Sequence, residues 1–240
     1  MTGMNKLFQF KQFTIEQDQC AMKVGTDGIL LGAWASIDKE PISILDIGAG
    51  TGVIALMLAQ RSHADLIDAI EIDENAYEQC VDNFENSPWG DRVFCYHASL
   101  EEFVTEIADK YDLIVSNPPF YTSQNKSDNS QRNLARFEDA LPFHHLLGSV
   151  SQLLSSDGTF CVVIPYSEKK KFISLAEEFK LHASKVLDVK GNPISEFKRS
   201  LLEFRFQKKT TQVEELIIEK ERHMCTQEFI ALTKEFYLKL

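Results

Sequence analysis

The chain has 240 residues, which suits one or two domains with a full hydrophobic core and needs no covalent staple. With 44% hydrophobic and 25% charged residues, 11 Gly and 7 Pro, it fits neither the disordered, the collagen-like nor the low-complexity class. The net charge of −11 argues against a surface that is basic throughout. Its distribution is uneven: residues 41–120 carry 3 basic and 15 acidic side chains, and 161–240 carry 15 basic and 12 acidic. The asymmetry reads either as solvated helix faces or as a local basic surface in the C-terminal half, where a partner rich in phosphate would meet the chain.

In chain order, residues 42–48 read as a buried strand, followed by a glycine-rich turn and a helix over 53–61. Strands over 66–72, 92–96 and 112–116 alternate with helices over 75–84 and 100–108. A helix over about 138–154 and a strand over 160–165 continue the alternation, with Ser156-Asp157-Gly158 as the turn between them. Such regularity predicts an α/β fold with a doubly wound, mostly parallel sheet. After a helix to about Lys180, strands over 184–190 and 201–206 are joined by Gly191-Asn192-Pro193 and read as an antiparallel pair at the sheet edge. A strand over 215–218 and a helix over 226–237, N-capped by Thr226, close the chain. Residues 122–136 are polar and aperiodic, a long loop or lid.

No apolar run approaches the roughly 18 residues of a membrane helix and the first residues begin no secretory signal, so the protein is expected in the cytoplasm, away from membranes. Five cysteines (Cys20, Cys80, Cys95, Cys161, Cys225) without a C-x-x-C pair suggest neither a disulfide framework nor a zinc site, and no metal is expected.

Asp46-Ile47-Gly48-Ala49-Gly50-Thr51-Gly52 falls where a doubly wound sheet binds its cofactor, between the first strand and its helix. Gly48, Gly50 and Gly52 let backbone approach a ligand, but the G-x-G-x-G spacing and the preceding anion Asp46 disfavour a pyrophosphate. Glu71, at the end of the second strand, should project into the same crevice, where its two oxygens match a vicinal diol; Asp73 competes for that role. After the third strand stands His97-Ala98-Ser99, where Ser99 is placed either at the cofactor or as a helix N-cap. The loop resembles the D-x-G-x-G-x-G motif of class I S-adenosylmethionine-dependent methyltransferases, which implies a Rossmann-like fold and that cofactor.

Asn117-Pro118-Pro119-Phe120-Tyr121 follows the fourth strand, and two prolines force the chain out of the sheet at the ligand-binding edge. This segment resembles the N-P-P-[YF] motif of methyltransferases acting on exocyclic or amide nitrogens, and chemistry gives a reason for it: an amine conjugated to a purine is a poor nucleophile because its lone pair is delocalised. The Asn117 side-chain oxygen and the Pro118 carbonyl can each accept one N–H and hold the nitrogen in line with a methyl donor. Phe120 offers a face for an extruded base, with Tyr121 as a second contact.

Together with that motif, Phe8-Gln9-Phe10-Lys11-Gln12-Phe13, the stretch from Gln19 to Trp34 (with Lys23-Val24-Gly25-Thr26-Asp27-Gly28) and the stretch from Phe229 to Lys239 resemble the bacterial valine-tRNA adenine-N6 methyltransferase family, over nearly the whole chain. The resemblance implies methylation of the adenosine at tRNA position 37, with Lys23, Thr26 and Asp27 against the methionine end of the cofactor. From the residues alone, the same stretch reads equally as a helix start capped by Thr26 or Asp27. One domain is expected, with 1–40 packing over the cofactor site, 41–165 as cofactor and catalytic core, and 166–240 as edge strands and helix. Lys126, Arg132 and Arg136 on the polar loop, and Lys198 and Arg199 on the edge hairpin, are the expected RNA contacts. The protein is expected to be a monomer or weak homodimer. The competing readings are a protein-glutamine N5 methyltransferase acting on a release factor, an rRNA guanine-N2 methyltransferase, and a non-catalytic cofactor-binding protein.

Overall fold

The computed structural model describes residues 7–119 and 141–239. The chain opens with a small antiparallel hairpin, β1 (Leu7–Gln9) and β2 (Thr14–Glu16), then α1 (Thr26–Trp34). Strands β3 (Ser43–Ile47), β4 (Leu66–Glu71), β5 (Val93–His97) and β6 (Tyr111–Ser116) alternate with α2 (Val53–Arg61), α3 (Glu74–Glu85) and α4 (Leu100–Glu106). After α5 (Phe143–Leu153) come β7 (Leu154–Pro165), a 3-10 turn (Tyr166–Glu168) and α6 (Lys169–Glu178). The chain ends with β8 (His182–Lys190), β9 (Phe197–Arg205), β10 (Gln212–Ile217), the short pair β11 (Glu219–Glu221) and β12 (Met224–Cys225), and α7 (Gln227–Thr233).

The main sheet has eight strands in the order β10-β8-β9-β7-β6-β3-β4-β5. Its strands alternate their side chains between two cores. On β3, Ile44 enters one core while Leu45 and Ile47 enter the other; on β7, Cys161 and Val163 oppose Phe160, Val162 and Ile164. The first core is closed by residues of α1, α2 and α7, the second by residues of α4, α5 and α6, so the central strands are covered on both faces, as parallel strands require. The fold is thus the Rossmann-like, mostly parallel sheet expected.

Two details differ from the expectation. The β8–β9 pair is antiparallel, but it is not the edge: β9 lies between β7 and β8 and runs against both, while β10 adds in parallel outside β8, from Gln212 opposite Lys185 to Ile217 opposite Lys190. Ser156-Asp157-Gly158 is no turn after a helix. It forms a bulge within β7, where Tyr111 pairs Leu154 and Leu113 pairs Thr159. A Cβ at Gly158 would fall 2.7 Å from Leu154 Cδ1, so the bulge folds tightly on itself. Thr226 caps α7 as expected, accepting from Phe229 N–H at 3.2 Å.

The parallel topology brings to one end of the sheet the loop after β3, the end of β4 at Glu71, the residues after β6 at Asn117, and the turn after β7 at Tyr166. Because β9 is antiparallel, its first residue Phe197 lies at the same end. Two buried polar side chains on α3 fasten the N-terminal segment there. Asn83 accepts from Glu16 N–H at 2.8 Å and donates to the carbonyls of Glu16 and Thr51, and Gln79 accepts from Gln19 N–H at 3.0 Å.

Candidate functional site

The loop between β3 and α2 turns through three glycines with positive φ: Gly48 at 74°, Gly50 at 54° and Gly52 at 77°. They serve different ends. A Cβ at Gly52 would stand 2.4 Å from Phe84 Cε1 and 2.9 Å from Cys80 Sγ, so this glycine lets the start of α2 pack on α3. At Gly48 and Gly50 a Cβ would meet nothing within 4 Å, which leaves an open face beside the backbone. The loop is tied to β4 by Gly48 and Ala49 N–H groups, both donating to Ile70 O at 3.0 Å.

Asp46, on β3, has no solvent exposure; its Oδ2 accepts from Ala55 N–H at 3.2 Å, and its Oδ1 has no partner among the described residues. Burial pushes its pKa up to about 7, opposed by the Ala55 N–H and reinforced by Glu71. Glu71 is held by three backbone donors: Gly50 N–H to Oε2 at 2.7 Å, and Ile72 and Asp73 N–H to Oε1 at 2.9 and 3.0 Å. The carboxylate is fixed at the mouth of the glycine loop; Oε1 is filled by two donors, and Oε2, with one, keeps acceptor capacity. Asp73 is otherwise engaged, as the N-cap of α3, accepting from Ala76 N–H at 2.9 Å.

Ser99 caps α4 in a full capping box. Its hydroxyl donates to Glu102 Oε2 at 2.7 Å and accepts from Glu102 N–H, while its own N–H donates to the same carboxylate at 2.9 Å. The hydroxyl placed by sequence either at the cofactor or at the helix end is thus engaged at the helix end. Missed by sequence reasoning is Ile72, an isoleucine 68% exposed directly after Glu71. Its carbonyl lies 3.0 Å from His97 Nε2, and the His97 ring stacks on Tyr77. The exposed apolar side chain after an acidic strand end was the available signal.

Asn117 is half-buried and Pro118 buried. They follow β6, which is tied to β3 by Ser116 Oγ donating to Ile47 O at 2.9 Å. Helix α1 lies against this point: a Cβ at Gly28 would fall 4.0 Å from Asn117 Nδ2. Helix α1 begins at Thr26 with Gly25 as N-cap and no side-chain cap bond, so neither Thr26 nor Asp27 plays the capping role. Asp27 is drawn instead to Arg199, with Nε to Oδ2 at 2.5 Å. Arg199 is correspondingly committed within the protein, whereas Lys198 beside it is exposed. Lys23 and Thr26 are exposed at the end of the stretch that Gln17 and Gln79 hold. That stretch runs beside Glu71: the Cys20 thiol is pushed up to about 12, by burial first and then by the charges of Glu71, Asp73 and Asp18. Phe120, Tyr121, Lys126, Arg132 and Arg136 lie outside the described residues.

The chain matches the methyltransferase small domain family over residues 29–190. It is 61% identical over 98% of its length to the whole of a Flavobacterium psychrophilum protein named tRNA1(Val) (adenine(37)-N6)-methyltransferase. A protein of the same name from Flavobacterium johnsoniae is 59% identical, again over 98% of this chain and 100% of the relative. Among solved structures, one described as a predicted O-methyltransferase from Agrobacterium tumefaciens superposes with a TM-score of 0.68 over 88% of this chain and 96% of that one. At 16% identity that likeness shows the shared fold alone. The sequence matches place the chain in the methyltransferase small domain family, and it belongs to the tRNA1(Val) (adenine(37)-N6)-methyltransferases.

Proposed function

We propose that the protein transfers a methyl group from S-adenosylmethionine to the exocyclic N6 amino group of adenosine 37 in the anticodon loop of valine tRNA. The observation that carries this reading is the meeting of two parts on adjacent strands: an open glycine loop with a fixed carboxylate after β3 and β4, and Asn117-Pro118 after β6 beneath α1. The names of the high-identity relatives favour RNA over a glutamine amide as acceptor.

The residues present fit S-adenosylmethionine. The donor is cationic and carries no phosphate, and it meets a crevice holding two carboxylates, one with an unpartnered buried oxygen, beside backbone free of Cβ atoms at Gly48 and Gly50. Glu71 would take a ribose hydroxyl on Oε2, the oxygen with a lone pair to spare. Asp46 would supply negative charge beneath the loop, Ile72 an apolar cover for the adenine, and Lys23 and Thr26 the methionine end. When bound, the cofactor supplies an electrophilic methyl carbon on a sulfonium. The protein's part at the acceptor is to orient. Asn117 Oδ1 and the Pro118 carbonyl each accept one N–H of the amine, which aims the nitrogen lone pair and needs no prior deprotonation. The proton released after transfer goes to solvent. Phe120, two positions after Pro118, would supply the stacking face for the base.

The protein would act in the cytoplasm as a monomer or weak homodimer, without a metal, with residues 1–40 covering the cofactor site. Among the described residues no helix is long and apolar enough to cross a membrane. Lys198 is the hairpin cation that remains exposed for RNA.

The test is Asn117→Ala. Turnover on tRNA lacking the modification should fall at least about 100-fold, while the cofactor Kd stays within about threefold of the parent. Loss of cofactor affinity with unchanged single-turnover rate would contradict the role.

A further inference from the structure

The end of the sheet that carries Asn117 also carries a column of side chains that the cofactor and the amine do not use. Tyr166, directly after β7, stacks on Phe197, the first residue of β9, with ring centroids 5.1 Å apart. Lys169 Nζ lies 4.4 Å from the Tyr166 ring centroid, and Lys190 Nζ lies 5.1 Å from that of Phe197. The two lysines differ. Lys169 is also bonded to Asp188 Oδ2 at 2.6 Å, and Asp188 in turn accepts from Ser200 Oγ, so this end is an internal anchor. Lys190 and the exposed Lys198 form no ion pair among the described residues.

Between Lys190 and Phe197 the chain makes a stiff turn. Asn192 Oδ1 accepts from the Ile194 and Ser195 N–H groups at 3.2 and 2.9 Å, Ser195 Oγ accepts from Asn192 N–H at 3.1 Å, and Pro193 fixes its own φ. The turn holds Ile194 96% exposed. One exposed aliphatic is ordinary on a surface. Here it is held out by that turn beside an aromatic pair and two ammonium groups that form no ion pair among the described residues.

The place matters as much as the chemistry. Ser116 pairs Val162, so Tyr166 lies about three residues, or roughly 10 Å, further along the strand direction than Asn117. Strand β9 is two strands from β6, about another 10 Å sideways. Residues 165–199 hold eight basic and five acidic side chains in a chain of net charge −11. An ammonium group set by an aromatic ring, Lys190, with a second exposed one nearby, Lys198, suits phosphates, and a rigid apolar tip suits insertion between bases that must part before one of them is extruded.

From these residues we infer that the 191–195 turn and the Tyr166–Phe197 stack form the docking surface for the unpaired nucleotides flanking the target adenine. Lys190 and Lys198 hold phosphates, and Ile194 acts as the wedge that unstacks the neighbouring base. The inference rests on the tRNA reading and adds to it the surface that opens the loop.

The experiment measures affinity for transcribed valine tRNA lacking the modification, with a parallel RNA carrying 2-aminopurine at position 37 as an unstacking probe. It compares the parent, Ile194→Ser, and the double change Lys190→Gln with Lys198→Gln, with melting temperature and cofactor affinity as checks on folding. The double change should weaken tRNA binding about 10-fold and flatten the slope of log affinity against log salt by about 1 to 2. Ile194→Ser should leave tRNA affinity within about threefold but remove most of the fluorescence rise on binding. A parent that methylates tRNA, with both variants giving the parent's affinity, salt slope and fluorescence, overturns this surface alone. A parent that fails to methylate tRNA contradicts the functional reading and takes this inference with it.

Discussion

Asp46 is the residue on which charge and binding are most tightly linked. Its carboxyl is buried without exposure and pushed from the ordinary 3.8 up to about 7, so the folded protein holds a proton there that the unfolded chain releases. Between about pH 4 and 7, stability without cofactor therefore falls as pH rises, by up to about 4 kcal/mol if no other group compensates. A cation bound in the crevice favours the ionised form, so cofactor affinity should run the other way. The Kd for S-adenosylmethionine is expected to be about 10-fold weaker at pH 6 than at pH 8, and Asp46→Asn should bind weakly with little dependence on pH. Titration calorimetry across that range checks it; parallel profiles for parent and variant would remove Asp46 from the cofactor site. Asn83 shows the converse case, a buried polar residue whose role is structural: its amide satisfies the backbone of β2 and of the glycine loop at once. Nothing in the α3 sequence marks which polar side chains turn inward, since their partners lie 32 and 67 residues away.

At the scale of elements, the strand–turn–helix unit around the glycine loop separates two roles that the motif merges. Gly52→Ala would drive a Cβ into Phe84 and Cys80 at a left-handed φ and should cost about 3 kcal/mol, lowering Tm by about 6 °C in a chain of this size. Gly50→Ala meets open space, so it should cost only about 1 kcal/mol of backbone strain while filling the face that the cofactor approaches. Thermal melts with and without cofactor distinguish them: Gly52→Ala loses stability in both, and Gly50→Ala loses chiefly the cofactor-induced rise. Equal behaviour would contradict the division. The α2 boundaries were legible to the residue, because a glycine turn before a continuous apolar helix leaves one reading. The α1 cap was not, because the acid that caps helices elsewhere is taken here by Arg199, 172 residues away. Likewise 156–158 have turn composition but are drawn into β7 by pairing with β6, and β10 finds its place only once β8 exists to receive it. The sequence left Ser99 two readings, cofactor contact or helix cap, and the Glu102 geometry shows its hydroxyl spent on the cap.

Over the whole molecule, an acidic cofactor core and a C-terminal half with a basic excess meet at one end of a single sheet. The division suits the proposed function: a cationic donor would sit among carboxylates, and a polyanionic acceptor would lie against lysines. Helix α1 bridges the two halves, with Gly28 near Asn117 and Asp27 on Arg199. On the proposed mechanism, the fold brings an amine of low nucleophilicity to Asn117 and Pro118. The most direct measurement is mass mapping of the nucleosides of valine tRNA lacking the modification, after incubation with S-adenosylmethionine and either the parent or Asn117→Ala. The expected result is N6-methyladenosine at position 37 with the parent and none with the variant. A methyl group on another base, or equal yield from both proteins, would contradict it.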